Sequence, residues 1–529
     1  MRTRIGLAAG PVAFLLIWLL PFAEAIPGPA RITAATTALM AVWWLTEAVP
    51  VPATALVPLV LLPATGVMSA AEISTPYANK TNMLFLGGLI IATAVQRWDL
   101  HRRIALHVIV RFGAHPASLV LGFMTGTALI SMWISNSATT MMMLPIALAV
   151  CDHVSRESPE VGEHLAPTLL LAIAYAATIG GVATIVGTPP NAVFVGAFRQ
   201  IFPASPEIGF LQWMLVGVPL ASLLIPIAWL YLTRLASPLW HLHGTGDSGI
   251  VQQQLEDLGP ITTPEKRVLS VFLLTAVAWM FRRPIDLGAV RLPGWSELAP
   301  DPSSIGDSTV AMAMALLLFA LPAGDRDRSR LLNWESAVKL PWGVIVLLGG
   351  GFALAKAIQV SGLAQWAGTT LGWVGAAGPL LSIAGIALII SFLTEVTTNT
   401  AITTIMMPIL AAAAITGGGD PLLLMVPCTL AASLCFMMPS GTAPNAIVFS
   451  GGHLSVARMA RTGFGLNLIA VCLVALVTWI VAVPVLDISL SQTPEWAVEQ
   501  SDESRGSLGP GSADRETPAD GDHQTSGVH

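Results

Sequence analysis

Two short polar clusters, Ser135-Asn136-Ser137 and Thr398-Asn399-Thr400, stand inside stretches that are otherwise almost wholly apolar. Their hydroxyl and amide oxygens are hard, neutral ligands of the kind an alkali cation accepts. The Asn amide also carries an NH2 that can donate to an anion, so one residue type can serve both charges. Two further clusters, Gly187-Thr188-Pro189-Pro190-Asn191-Ala192 and Gly441-Thr442-Ala443-Pro444-Asn445-Ala446, put proline where a helix has to break, because proline lacks a donor and excludes helical geometry before it. A helix that begins at such a break presents unpaired N–H groups and a positive dipole end, which suits a carboxylate or sulfate oxygen. The half-helix that ends there offers unpaired carbonyls to a cation.

These clusters recur in order. Leu86-Gly87-Gly88 with Ala94-Val95-Gln96 is echoed by Leu348-Gly349-Gly350 with Ala357-Ile358-Gln359, and Ser135 through Ile146 aligns without a gap on Thr398 through Ile409 at a constant offset of 263. The two proline-bearing clusters supply the third echo, so the chain contains a duplicated unit. Ser, Thr and Asn in membrane helices commonly act as interhelical glue. Symmetric recurrence of four such clusters at helix breaks favours a binding site.

The elements that must position these residues follow from composition. Of 529 residues, 54% are hydrophobic and 11% charged, with a mean hydropathy of +0.72, so the apolar surface exceeds what a soluble core can bury and a bilayer is the expected solvent. Apolar runs at 6–22, 31–48, 51–67, 82–96, 168–200, 210–232, 268–281, 308–321, 342–360, 422–450 and 464–486 predict an all-α integral membrane protein with about eleven crossings. The interrupted stretches 116–150 and 378–413 predict two re-entrant hairpins, since non-helical backbone at membrane depth is tolerated only inside protein or beside a wet cavity. An odd number of crossings, five, separates the hairpins, so the repeat is inverted and its site is expected near the bilayer midplane.

Segment boundaries are expected at 1–115, 116–240, 241–265 (a cytoplasmic linker), 266–377, 378–490 and 491–529, the last a disordered acidic tail. Basic residues near span ends place Arg2, Arg4, Arg97, Arg102, Arg103, Arg111, Arg326, Arg328, Arg330, Lys339, Arg458 and Arg461 on one, cytoplasmic, side. The N-terminus is then cytoplasmic and the tail outside, in a cell membrane. Arg282, Arg283 and Arg291 fall on the outer side against the rule, with Asp286 and Glu297 nearby as counter-charges. Ala23-Glu24-Ala25 after an apolar run resembles a signal-cleavage site, but the run is long for a signal core and Pro27 and Pro29 follow at once, so a retained first helix is expected. Cys151, Cys428, Cys435 and Cys472 lack paired spacing and the histidines lack a zinc arrangement, so neither a disulfide framework nor a transition-metal site is expected and no cofactor is implied.

As a set, these motifs resemble the divalent anion/sodium symporter family of sodium-coupled dicarboxylate, citrate and sulfate carriers. The hairpin signature appears as Ser135-Asn136-Ser137 and Thr398-Asn399-Thr400, and Trp43-Trp44-Leu45-Thr46-Glu47-Ala48 is similar to its early element. The resemblance covers residues 30–490. It implies a homodimer whose scaffold holds two transport domains that move by an elevator motion. It also implies one sodium site from Ser131, Ser135, Asn136 and Gly187, and a second from Thr394, Thr398, Asn399 and Gly441. Asn136, Ser137, Thr188, Asn399, Thr400, Thr442 and Ala443 would face the substrate. Ser137 stands where the family has Thr, Thr398 where it has Ser, and Ala443 where it has the first of two prolines.

The expected function is secondary transport, sodium-coupled symport of C4-dicarboxylates such as succinate, fumarate or malate, with sulfate or citrate transport and dicarboxylate exchange as rivals on the same fold. An intramembrane enzyme would need a nucleophile with its base or a metal cluster at membrane depth, and the sequence offers none. Nucleic acid is not an expected partner. Glu47 and Glu395 are acidic residues at membrane depth and therefore functional candidates. A structural anchor, to a backbone group or a Trp N–H, is the favoured role for Glu47, while for Glu395 such an anchor is balanced against tuning sodium affinity or taking up a proton.

Overall fold

The computed structural model describes residues 2–498 except 20–25, 114, 241–248, 287–290, 325–327 and 372–377. Ala23-Glu24-Ala25, Arg326, most of the first part of the linker and residues 499–529 therefore lie outside the described residues. The apolar runs form helices because a backbone in hydrocarbon must satisfy its own N–H and C=O groups. They are α1 Arg2–Leu19, α2 Gly28–Thr46, α3 Val51–Thr54, α4 Val57–Ala64, α5 Ala70–Ser74, α6 Lys80–Arg97, α7 Leu100–Val110, α8 Pro116–Ser131, α9 Asn136–Glu157, α10 Pro159–Gly181, α11 Pro189–Ile201 and α12 Phe210–Leu230. The chain continues through α13 Gly249–Asp257, α14 Thr263–Met280, α15 Asp307–Ala320, α16 Trp334–Ala337, α17 Trp342–Val360 and α18 Leu363–Leu371. It ends with α19 Pro379–Leu393, α20 Asn399–Thr416, α21 Leu422–Ser433, α22 Ala443–Phe449, α23 Val456–Val477 and α24 Val483–Val485. One two-stranded ribbon, Ile285–Asp286 against Arg291–Leu292, interrupts the helices.

Among the described residues, seven helical segments are long and apolar enough to cross a membrane by length and composition. The duplication is visible in the element order. A helical pair (α8, α9), a broken helix (α10, α11) and a long helix ending in a π-helical turn (α12, then Tyr231–Ala236) recur as α19 with α20, α21 with α22, and α23 followed by Thr478–Ala482. Each hairpin packs on the first half of its own broken helix, α8 and α9 on α10, α19 and α20 on α21. The second halves cross over: α11 packs on α20, and α22 packs on α9.

Arginines near the span ends are tied to the protein. Arg103 donates from Nε to Glu265 Oε1 at 2.7 Å and from its Nη atoms to the carbonyls of Gly259 and Leu258. Both side chains are buried, and the pair fastens α7 to the entry of α14. In the loop after α14, Arg291 pairs with Glu297, while Arg282 and Arg283 find Asp307 and Glu207, far away in sequence.

The expected start of a disordered tail at 491 is corrected. Ser489 N donates to Asp420 Oδ2 at 3.0 Å, Thr493 Oγ1 to Gly419 O at 3.3 Å, and Trp496 lies edge-on to Phe198 and Phe202 with ring centroids 5.4 and 5.1 Å away. The polar composition of the tail concealed one aromatic anchor. Burial lifts the Asp420 carboxyl to about 6, against the opposing pull of the Leu422 and Ser489 N–H groups.

Glu265→Gln leaves the buried Arg103 guanidinium without its counter-charge, and breaking one partner of such a pair costs about 3–5 kcal/mol. A clear fall in the thermal midpoint of detergent-solubilised protein is expected, and an unchanged midpoint would refute this role for the pair.

Candidate functional site

The first tip is the turn between α8 and α9. Ser135 caps α9, accepting from Ala138 N at 3.4 Å. The fully buried Ser131 hydroxyl lies 2.7 Å from both Asn136 Oδ1 and Ala177 O. The tip is clamped to the break between α10 and α11, because Thr184 donates its hydroxyl to Met132 O and accepts from Gly187 N at 3.1 Å. Asn191 Nδ2 stands within reach of the carbonyls of Thr184 (2.7 Å), Val182 (3.1 Å) and Gly181 (3.3 Å). This holds the unwound carbonyls in place without helical partners. A Cβ at Gly187 would press on Gly181 O and come within 3.0 Å of Met132 O. Glycine there allows tip and break to bring hydroxyl, amide and carbonyl oxygens into one place.

At the second tip, between α19 and α20, the same plan is executed with different bonds. Thr394, the counterpart of Ser131, turns its hydroxyl to Ser391 O at 3.1 Å. As a result Asn399 Oδ1 is a buried acceptor without a hydrogen-bond partner, and Thr398 Oγ1, which unlike Ser135 does not cap its helix, is another. Buried polar oxygens are seldom left so, and unpaired oxygens of this kind fit an alkali cation. Asn445 Nδ2, the counterpart of Asn191, reaches Met438 O at 3.0 Å and Cys435 O at 3.4 Å.

Glu395 has no acidic counterpart in the first copy. Its Oε1 accepts from Phe436 N (2.8 Å), Met437 N (3.0 Å) and Asn467 Nδ2 (2.7 Å), and Oε2 accepts from Met438 N at 2.9 Å. Three successive backbone amides thus form an anion-holding nest. The carboxylate pins the second break to the second tip, and α23 joins through Asn467. A Cβ on Gly441 would meet Cys435 Sγ and stand 3.1 Å from Glu395 Oε2. Of the two roles expected for Glu395, the structure supplies the anchor. Trp44, beside Glu47, donates to Val51 O at 3.1 Å.

Four helices begin at expected site residues: α9 at Asn136, α11 behind Thr188, α20 at Asn399 and α22 behind Thr442. Ser137 is half-buried beside Asn136, and Thr400 is buried. Helices α9 and α22 lie side by side, and a Cβ on Gly451 would meet Leu144 at 3.8 Å. Leu144 lies as far along the chain after Asn136 as Gly451 does after Ala443. Tyr175 and Phe436, with ring centroids 5.0 Å apart, join the two copies beside the breaks. Pro189 and Pro190 open α11, whereas α22 opens with exposed Ala443 before Pro444. Ala443 therefore keeps a backbone N–H that proline lacks.

Sequence reasoning named the tips but not the clamps Thr184, Asn191, Asn445 and Asn467. Asn directly after the proline that opens the second half-helix, Pro190-Asn191 and Pro444-Asn445, was the readable sign for two of them. Among the described residues no group of His, Cys, Asp and Glu is arranged to hold a metal ion.

Glu395→Ala strands three backbone amides and the Asn467 amide in a buried place, each unsatisfied group costing about 1–3 kcal/mol. The variant is expected to lose thermal stability and transport together, with Glu395→Gln milder because it keeps one acceptor oxygen. Wild-type melting of Glu395→Ala in a detergent thermal-shift assay would be incompatible with this anchor.

The comparisons with known proteins agree with this plan. The family model described as "Sodium:sulfate symporter transmembrane region" matches residues 3–485. Proteins named sodium-dependent dicarboxylate transporter SdcS from Staphylococcus saprophyticus and Staphylococcus aureus are 40% identical over 494 residues, covering 92% of this chain and 93% of theirs. Among solved structures, the Alcanivorax borkumensis YdaH transporter (TM-score 0.54, 13% identity, 86% of this chain and 98% of that one) shares the fold. So does Neisseria gonorrhoeae MtrF (TM-score 0.53, 14% identity, 90% and 98%). The chain is a multi-pass membrane transporter, not an enzyme, and it belongs to the sodium:sulfate symporter family.

Proposed function

We propose that this protein is a sodium-coupled symporter of divalent organic anions, with C4-dicarboxylates such as succinate, fumarate and malate as substrates. The observation that carries this reading is the pairing of two helix tips with two helix breaks, with the oxygens of Thr398 and Asn399 buried and unpaired beside one of them. The relatives named sodium-dependent dicarboxylate transporter support the choice of ion and substrate.

In this reading Ser131, Ser135, Asn136 and Gly187 hold one sodium ion, and Thr394, Thr398, Asn399 and Gly441 the other. The N-terminal ends of α9 and α20, with Asn136, Ser137, Thr188, Asn399, Thr400, Thr442 and Ala443, receive the two carboxylates of one substrate. Sodium binds first, because two cations at the tips offset the cost of bringing a dianion into an apolar interior. Residues 116–240 and 378–490 form a transport domain, while 1–115 and 266–377 form the scaffold of a homodimer in the cell membrane, with the N-terminus cytoplasmic. The transport domain carries its load across by an elevator motion. Eleven crossings and two re-entrant hairpins give the two copies opposite orientation.

Reconstituted in proteoliposomes, the protein is expected to take up labelled succinate steeply as external sodium rises; equal uptake with choline in place of sodium would sink the reading. Competition with citrate, sulfate and glutamate ranks the substrates, and dependence on preloaded succinate would turn the assignment to an exchanger. Asn136→Ala and Asn399→Ala are each expected to abolish uptake without loss of folded protein, and near-normal uptake in either would overturn the site.

A further inference from the structure

The outer face carries an arrangement that the transport site does not use. Glu207, in the turn between α11 and α12, extends its carboxylate to two guanidinium groups of the loop after α14. Oε1 lies 3.2 Å from Arg282 Nη2, Oε2 bonds Arg283 Nη2, and Arg283 Nη1 donates to the Glu207 carbonyl at 3.3 Å. Arg282 is buried and held by Asp307 and Ile305 O, so its direction is set before Glu207 arrives. Asp307 Oδ2 in turn accepts from Phe210 N at 2.9 Å, at the start of α12. Gln359 of α17 donates to Ile201 O at 3.0 Å, at the end of α11. These contacts converge on residues 201–210. They border a cavity of about 780 Å³ that Lys80 and Arg199 also line.

Residues 201–210 belong to the transport half under the division above, and Arg282, Arg283, Asp307 and Gln359 belong to the scaffold. Elsewhere, the strong polar ties stay inside one half or reach the linker: Arg103 with Glu265, Arg97 with Asn333, Asn82 with Ile345 O, and Trp229 with Ala117 O. We propose that Glu207, with Arg282 and Arg283, is a positioning contact for translocation, a releasable latch that holds the transport domain against the scaffold at the outer face and has to open once in each cycle. The chemistry suits a latch. Glu207 is half-buried and its partners are arginines, so its pairing with two guanidinium groups is directional, yet water can solvate Glu207 and Arg283 once they part. The buried Arg282–Asp307 pair stays behind in the scaffold and keeps Arg282 from being stranded.

The proposal rests on the elevator reading and is tested separately from it. In a Cys472→Ser background, which removes the exposed native cysteine, Glu207→Cys with Arg283→Cys is bridged by a cleavable bis-methanethiosulfonate reagent in proteoliposomes. Sodium-driven succinate uptake is expected to stop on bridging and to return on reduction. Bridging Arg291→Cys with Glu297→Cys, both within the scaffold loop, should leave uptake unchanged. Complete bridging of 207 to 283 with undiminished uptake overturns the latch while leaving the transport assignment standing; absence of sodium-driven uptake in the unmodified protein removes both.

A second arm needs no bridge. Glu207→Gln is expected to raise the maximal uptake rate about two- to fivefold, the range for a partly exposed ion pair, with the half-saturating succinate concentration unchanged. Glu207→Asp should stay near wild type, and exchanging the charges in Glu207→Arg with Arg283→Glu should restore the wild-type rate. A Glu207→Gln protein with wild-type rate also counts against the latch.

Discussion

A helix interrupted inside a bilayer leaves backbone groups that water cannot reach, and each must find a partner within the protein. The structure depends on how that requirement is met at two places. At the first break one side-chain amide, Asn191, gathers the carbonyls freed from α10, while Thr184 ties the same segment to the hairpin tip. At the second break the carbonyls go to Asn445 and the freed amides go to the carboxylate of Glu395. The sites of chemistry are therefore not loops that happen to lie deep. They are unwound backbone held open by specific side chains.

The two copies solve one problem with different groups. The first tip pairs Ser131 with Asn136, so its oxygens already have partners. The second turns Thr394 away and leaves Thr398 and Asn399 unpaired, but adds the side chain of Glu395 behind the break, where it accepts three backbone N–H groups. Pseudosymmetry in sequence thus coexists with unequal electrostatics at the two tips. The crossing-over of α11 onto α20 and of α22 onto α9 packs the two copies against each other.

Polar contacts at the two ends of the molecule differ in kind. Near α7 and α14, Arg103 is buried with Glu265 and two carbonyls, an arrangement that strands a charge if it opens. At the other end Glu207 is half-exposed, and Arg282 is also held by Asp307. Opening the first pair strands a buried charge, and opening the second does not. The contacts of Arg282 and Arg283 show why the arginines that break the charge rule are there, since they answer acids brought from elsewhere in the chain.

Membrane residence, the duplicated unit and the four breaks were legible in the chain, because proline spacing, hydropathy and a constant offset between Asn136 and Asn399 are properties of local sequence. The breaks at 187–190 and 441–444 followed from the same local rules. What the sequence left open was which groups answer the freed backbone. Asn467 lies far along the chain from Glu395, and Arg282 far from Glu207, and neither distance carries a periodic signal. Trp496 likewise sat in a segment whose composition reads as disordered, until Phe198 and Phe202 gave it a surface. Local sequence determined where helices stop. Only the tertiary fold decided what satisfies their ends, because hydrogen bonds between distant side chains and freed backbone depend on packing rather than on order along the chain.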